Sequence, residues 1–130
     1  MNLLDIKSLK IEFYNELSEM PISSLKTEIT DDIQNNYVIS VLNIDDVVSH
    51  MHDGNAYTTF TIDAKMEALL KFISEGNKLI PPIIRNITND SWTVFDGQHR
   101  IALFIHLEMA AFPFLVRKDQ VKYLEILKQK

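Results

Sequence analysis

The chain of 130 residues has no cysteine, which removes disulfides, thiolate metal sites and cysteine nucleophiles from consideration. Basic charge is also in short supply: 13 Lys and Arg stand against 18 Asp and Glu, a formal net charge of -5. A surface of that balance does not attract polyanions as a whole, so DNA is not an expected partner unless a local basic patch or a second protein provides the contact. With 3 Gly and 4 Pro, collagen-like and low-complexity architectures are excluded. No apolar run reaches the roughly 18 residues of a membrane span; the strongest stretch, Ile101 to Val116, is interrupted by His106, Glu108 and Pro113. Asp5 likewise breaks the apolar run at the start of the chain before it resembles a secretory core. The expectation is a cytoplasmic protein with no membrane contact.

Apolar residues make up 46% of the chain and charged residues 24%, enough for one real core and ordinary for a folded domain. Helical spacing of Leu9, Phe13, Leu17 and Met20 ahead of Pro21 predicts a short amphipathic helix over 8–20. The polar stretch 23–36 reads as a connection with at most a loose helical turn. Tyr37 to Ile44 is β-prone and ends at Asp45-Asp46, which suits a solvated strand end. His52-Asp53-Gly54 has turn chemistry, and Tyr57 to Ile62 is β-prone again.

Asp63 stands at an N-cap position before Met66, Leu69, Leu70 and Ile73, spaced i, i+3, i+4, i+7 and followed by Gly76; this is the clearest helix in the sequence. Pro81-Pro82 leads into a strand at Ile83 to Arg85. A turn at 86–90 follows, with glycosylation-like triplets read as coincidental, and a second strand runs from Trp92 to Phe95. His99 to Leu107 reads as a buried helix, Phe112 to Val116 as a core strand, and 119–130 as a surface helix with Val121, Leu124 and Leu127 inward. The fold class expected is α+β: a single domain with a small mixed sheet packed with helices.

Chemistry concentrates at Asp96-Gly97-Gln98-His99-Arg100, between a strand and a helix. The first amides of a helix have no intrahelical acceptor, and the helix dipole adds partial positive charge there, so such a turn suits an anion. Gly97 permits close approach of a ligand to the backbone, and any side chain there would stand between the amides and a bound phosphate. Arg100 offers a planar fork for phosphate oxygens, His99 a further donor, and Asp96 a carboxylate for a divalent ion or a proton. The same residues also fit a plain helix start with Asp96 as cap.

Pro81-Pro82-Ile83-Ile84, Trp92 through Ala102 and Phe112-Pro113-Phe114-Leu115-Val116 together resemble the ParB/sulfiredoxin superfamily in order and spacing. The resemblance spans roughly residues 37–117, leaving 1–36 as an N-terminal helix and connection and 118–130 as a C-terminal helix. It implies a ParB/sulfiredoxin-like core that binds a nucleotide (ATP, ADP or CTP) or a phosphorylated small molecule, with Mg2+, at Gly97, Gln98, His99 and Arg100. Lys65 matches a phosphate-contacting lysine near the start of the preceding helix, although the family's hydroxyl residues further along that helix correspond here to Ala68 and Phe72. Gln98 replaces the reactive cysteine of sulfiredoxins, so sulfinic acid reduction is excluded.

Chromosome-partitioning ParB proteins carry a helix-turn-helix domain downstream, for which 118–130 leaves no room. The free serine kinase branch resembles the D-G-x-H-R turn most closely; by that analogy Asp96 and His99 are catalytic, Asp96 holds the metal, and phosphotransfer or nucleotide hydrolysis follows. A family associated with DNA sulfur modification carries the same D-G-Q-H-R string. Asp45 and Asp46 are positional candidates for an acid that orients an acceptor. Arg85 is placed either at the phosphate pocket or in a surface ion pair. His50 and His52 read as turn residues more than as metal ligands, and His106 as a core histidine. The competing functions are a non-catalytic module that binds a protein partner or a second copy of itself, and a ParB-like nuclease.

Overall fold

The computed structural model describes residues 6–21, 23–24, 27–28, 31–50, 60–85 and 92–128. Within them, a two-stranded hairpin of β1 (Ser23–Ser24) and β2 (Thr27–Glu28) precedes α1 (Asp31–Asn36), β3 (Tyr37–Asn43) and α2 (Ile44–His50). There follow α3 (Ala64–Ser74), β4 (Ile83–Arg85), β5 (Thr93–Asp96), α4 (Gln98–His106), β6 (Ala111–Arg117) and α5 (Val121–Lys128). The main sheet has the order β3-β6-β4-β5. β3 runs antiparallel to β6, β6 parallel to β4, and β4 antiparallel to β5, so the sheet is mixed and the class is α+β.

Both faces of this sheet are covered. On β6, Phe112, Phe114 and Val116 join the larger core with Met66, Leu69, Leu70 and Ile73 of α3 and Ile101 to Phe104 of α4. Leu115 points the other way, into a smaller cluster with Met20, Ile33, Tyr37, Ile80 and Ile83. The two-residue period of a strand thus feeds two cores at once. Pro113 is tolerated in this inner strand because its missing N–H falls on the β4 side, and β4 begins only at Ile83, opposite Leu115.

Several elements follow their sequence signals. Asp63 caps α3 by accepting from the Met66 amide at 2.8 Å, and the four predicted apolar residues are buried. Leu124 of α5 is buried as expected. The sequence misleads at two places. Residues 8–20 do not form the expected α-helix: only Leu17–Glu19 makes a 3-10 turn, and Phe13 bridges Leu79 in parallel. The backbone bonds there run across the chain, from Tyr14 to Leu79 and from Leu79 to Glu12, while Phe13 packs on Phe104 at 5.3 Å between ring centroids. Asp45 and Asp46 are the first turn of α2, not the end of a strand; the Asn43 side chain accepts from the Asp45 amide at 2.8 Å and starts that helix. The segment 60–62 is not a strand, and the turns expected at 52–54 and 86–90 lie outside the described residues.

Candidate functional site

Gly97 is the hinge of the D-G-Q-H-R turn. β5 ends at Asp96, opposite Ile83 of β4, and α4 starts at Gln98. Between them Gly97 adopts φ 110°, a left-handed conformation that a residue with a Cβ enters only under strain. A Cβ there would also lie 2.7 Å from Pro82 Cβ and 2.9 Å from Pro82 Cα. The demand for glycine therefore comes first from packing against Pro82. That differs from the expected reason, a ligand's approach to the backbone.

The Arg100 guanidinium does not extend outward from the helix as the expected open fork. The residue is 5% exposed; it donates to the Ile80 carbonyl, and its Nη2 lies 3.1 Å from where a Gly97 Cβ would stand. It ties the first turn of α4 to the segment leading into Pro81-Pro82. His99 takes the outward role. Its Nε2 donates to Asp63 Oδ2 at 3.0 Å, with His99 35% and Asp63 53% exposed. Asp63 thus uses one oxygen to cap α3 and the other to hold His99, joining the N-terminus of α3 to that of α4 across 36 positions of sequence. The His99 hydrogen bond is the largest cause, followed by the Met66 amide, of an Asp63 carboxyl held below the usual aspartate value.

The first hydrogen bond of α4 runs from the Ile101 amide to the Gly97 carbonyl, so the Gln98 and His99 amides have no acceptor within the helix. Gln98 is half-buried beside them. Lys65 is exposed in the first turn of α3, two residues after Asp63. The Asp63–His99 bond thus brings the N-termini of α3 and α4 to one mouth with the imidazole between them. Comparison with known proteins returns no matching family model, no matching curated protein and no matching solved structure.

Asp96 closes β5 at the edge of this mouth; its side chain lies outside the described part of the structure, and with it the expected catalytic and metal-holding roles. Both Asp63 oxygens are engaged by Met66 and His99, and among the described residues no three His, Asp or Glu side chains gather as a metal-binding group. The described side chains do not by themselves form a magnesium cage.

Arg85 is at the other end of β4. It pairs with Thr93 while Ile83 pairs with Asp96, and its Nε donates to the Tyr37 hydroxyl at 2.7 Å. Arg117 flanks the same ring at 5.8 Å and bonds Asp119 at 3.2 Å. His106, read as a core residue, is half-buried and stacked on Phe60 at 3.9 Å. The His50 side chain and all of His52 lie outside the described residues. Sequence reasoning assigned Asp63 only as a cap; no local signal links it to His99.

Proposed function

We propose that this chain binds the phosphate of a nucleotide (ATP, ADP or CTP) or of a phosphorylated small molecule, in the cytoplasm, at the mouth formed by the N-termini of α3 and α4. The observation that carries this reading is the Asp63–His99 bond, which brings two helix N-termini together, with Lys65 in the first turn of α3. Aligned helix dipoles make each N-terminus partly positive; at α3 the Asp63 carboxylate offsets this, while at α4 the Gln98 and His99 amides keep it. The resemblance of the D-G-Q-H-R turn to the ParB/sulfiredoxin superfamily points to the same place.

In this reading the Gln98 and His99 amides and the Lys65 ammonium hold phosphate oxygens, and Gly97 and Arg100 position the turn from beneath. Asp63 fixes the ring of His99 with Nε2 toward itself, leaving Nδ1 as the atom that can take or give a proton. That pairing supports a phosphotransfer or hydrolytic step at His99, with Asp96 as the carboxylate for Mg2+ accompanying the nucleotide. Calorimetric titration of ATP, ADP and CTP into the wild type and Lys65→Ala tests it. Loss of a charged contact should weaken binding by roughly tenfold to a hundredfold; no phosphate ligand bound by the wild type at millimolar concentration would overturn the proposal.

A further inference from the structure

β3 is the outer strand of the sheet, and among the described residues no strand pairs with its free side. Its seven residues, Tyr-Val-Ile-Ser-Val-Leu-Asn, contain no charge and no proline, the usual devices that keep an edge from pairing with another chain. The bonds to β6 fix which groups face outward. Asn43 is paired with Ala111, and the Ile44 amide donates to the Ala110 carbonyl, so even-numbered residues of β3 turn their backbone groups toward β6. Tyr37, Ile39, Val41 and Asn43 therefore turn theirs away; the last turn of α1 takes up the Tyr37 amide and the first turn of α2 the Asn43 carbonyl, while among the described residues no backbone group bonds Ile39 or Val41 on that side. Val41 is also 66% exposed, the most exposed large apolar side chain among the described residues.

We propose that two copies of this chain associate edge to edge through β3, antiparallel about a two-fold axis at Ser40, into one continuous sheet. This axis places Ile39 opposite Val41 of the second copy, Val41 opposite its Ile39, and Tyr37 and Asn43 opposite each other. Ile39 and Val41 of each copy then exchange both backbone bonds with Val41 and Ile39 of the other, and at each end the Asn43 amide meets the Tyr37 carbonyl of the second copy. A shift of the axis by one residue, onto Ile39 or Val41, leaves an end of the strand unmatched. Side chains favour the same register. Ile39 already packs against the smaller core cluster, so Val41 of the second copy extends that core, and symmetry repeats the gain. α1 ends at Asn36 and α2 begins at Ile44, so the available edge has the length of the strand that would fill it.

The chain has no cysteine, so single cysteines report the register directly. On the axis the two Ser40 residues form a non-hydrogen-bonded pair with Cα atoms about 4.5 Å apart, inside the roughly 4.4–6.8 Å that a disulfide spans. The two Val41 residues lie diagonally, roughly 7–8 Å apart, beyond ready bridging. With oxidised glutathione as oxidant, Ser40→Cys should give a covalent dimer and Val41→Cys should not, although Val41 is the more exposed and random collision would favour it. In sedimentation the wild type should be a dimer, and Val41→Lys should weaken association by roughly tenfold or more, because symmetry counts each change twice. The proposal is overturned by a monomeric wild type across the accessible concentration range, by Val41→Cys cross-linking as readily as Ser40→Cys, or by a folded Val41→Lys variant that sediments like the wild type.

Discussion

At the scale of single residues, Gly97 and Arg100 act on the fold and His99 on the surface they support. Gly97→Ala combines a positive φ with a Cβ placed against the Pro82 backbone, which has little room to move. The expected loss is about 2–4 kcal/mol, strain and overpacking together, read as a lower urea midpoint; an unchanged midpoint would contradict the packing described. Arg100→Met leaves the Ile80 carbonyl without this donor in a buried place and should lose about 1–3 kcal/mol. The Asp63–His99 bond predicts a pH effect of definite sign. The Asp63 carboxyl is lowered in the folded state, so its contribution to stability is full above the ordinary aspartate value and is lost as pH falls through the lowered folded value. His99→Ala removes the largest cause and should raise the Asp63 titration toward the ordinary value, as followed by carbonyl NMR. Asp63→Asn should keep the cap on α3 and release His99, whereas Asp63→Ala should lose both and lower the melting temperature further.

Elements show why some of this was legible in the sequence and some was not. α3 announces itself because a capping aspartate, a four-residue apolar stripe and a terminal glycine agree with each other, and local agreement of that kind survives folding. β4, β5, α4 and β6 follow from their proline, turn and apolar signals for the same reason. Residues 8–20 have the same apolar spacing but make their bonds with Leu79, a partner no local pattern reveals, so the stripe was real and the helix was not. Asn43 ahead of Asp45 and Asp46 was a helix-start signal in plain view, with a capping side chain and acidic first turn. The glycine of the D-G-Q-H-R turn was legible as a necessity, but its cause, Pro82, and the partner of His99, Asp63, are tertiary facts. An Asn43→Ala variant should fray the start of α2, lowering amide protection at Asp45 in hydrogen exchange while β3 remains protected on its β6 side.

For the whole molecule, the sheet separates two polar regions. The joined N-termini of α3 and α4 lie where β4 begins and β5 ends, and the Arg85–Tyr37–Arg117 cluster lies where β4 and β6 end. Among the described residues no helix is long and apolar enough to cross a membrane. With a net charge of -5, the anion binding proposed above rests on local geometry and not on the overall field, and that makes the location of binding the sharpest question. A titration of nucleotide into 15N-labelled protein, followed by amide NMR, answers it residue by residue. The proposed phosphate site predicts saturating shifts at Lys65, Gln98 and His99 together, with Arg85 and Arg117 unmoved; shifts confined to Arg85 and Arg117, or no saturating shift at all, would contradict it.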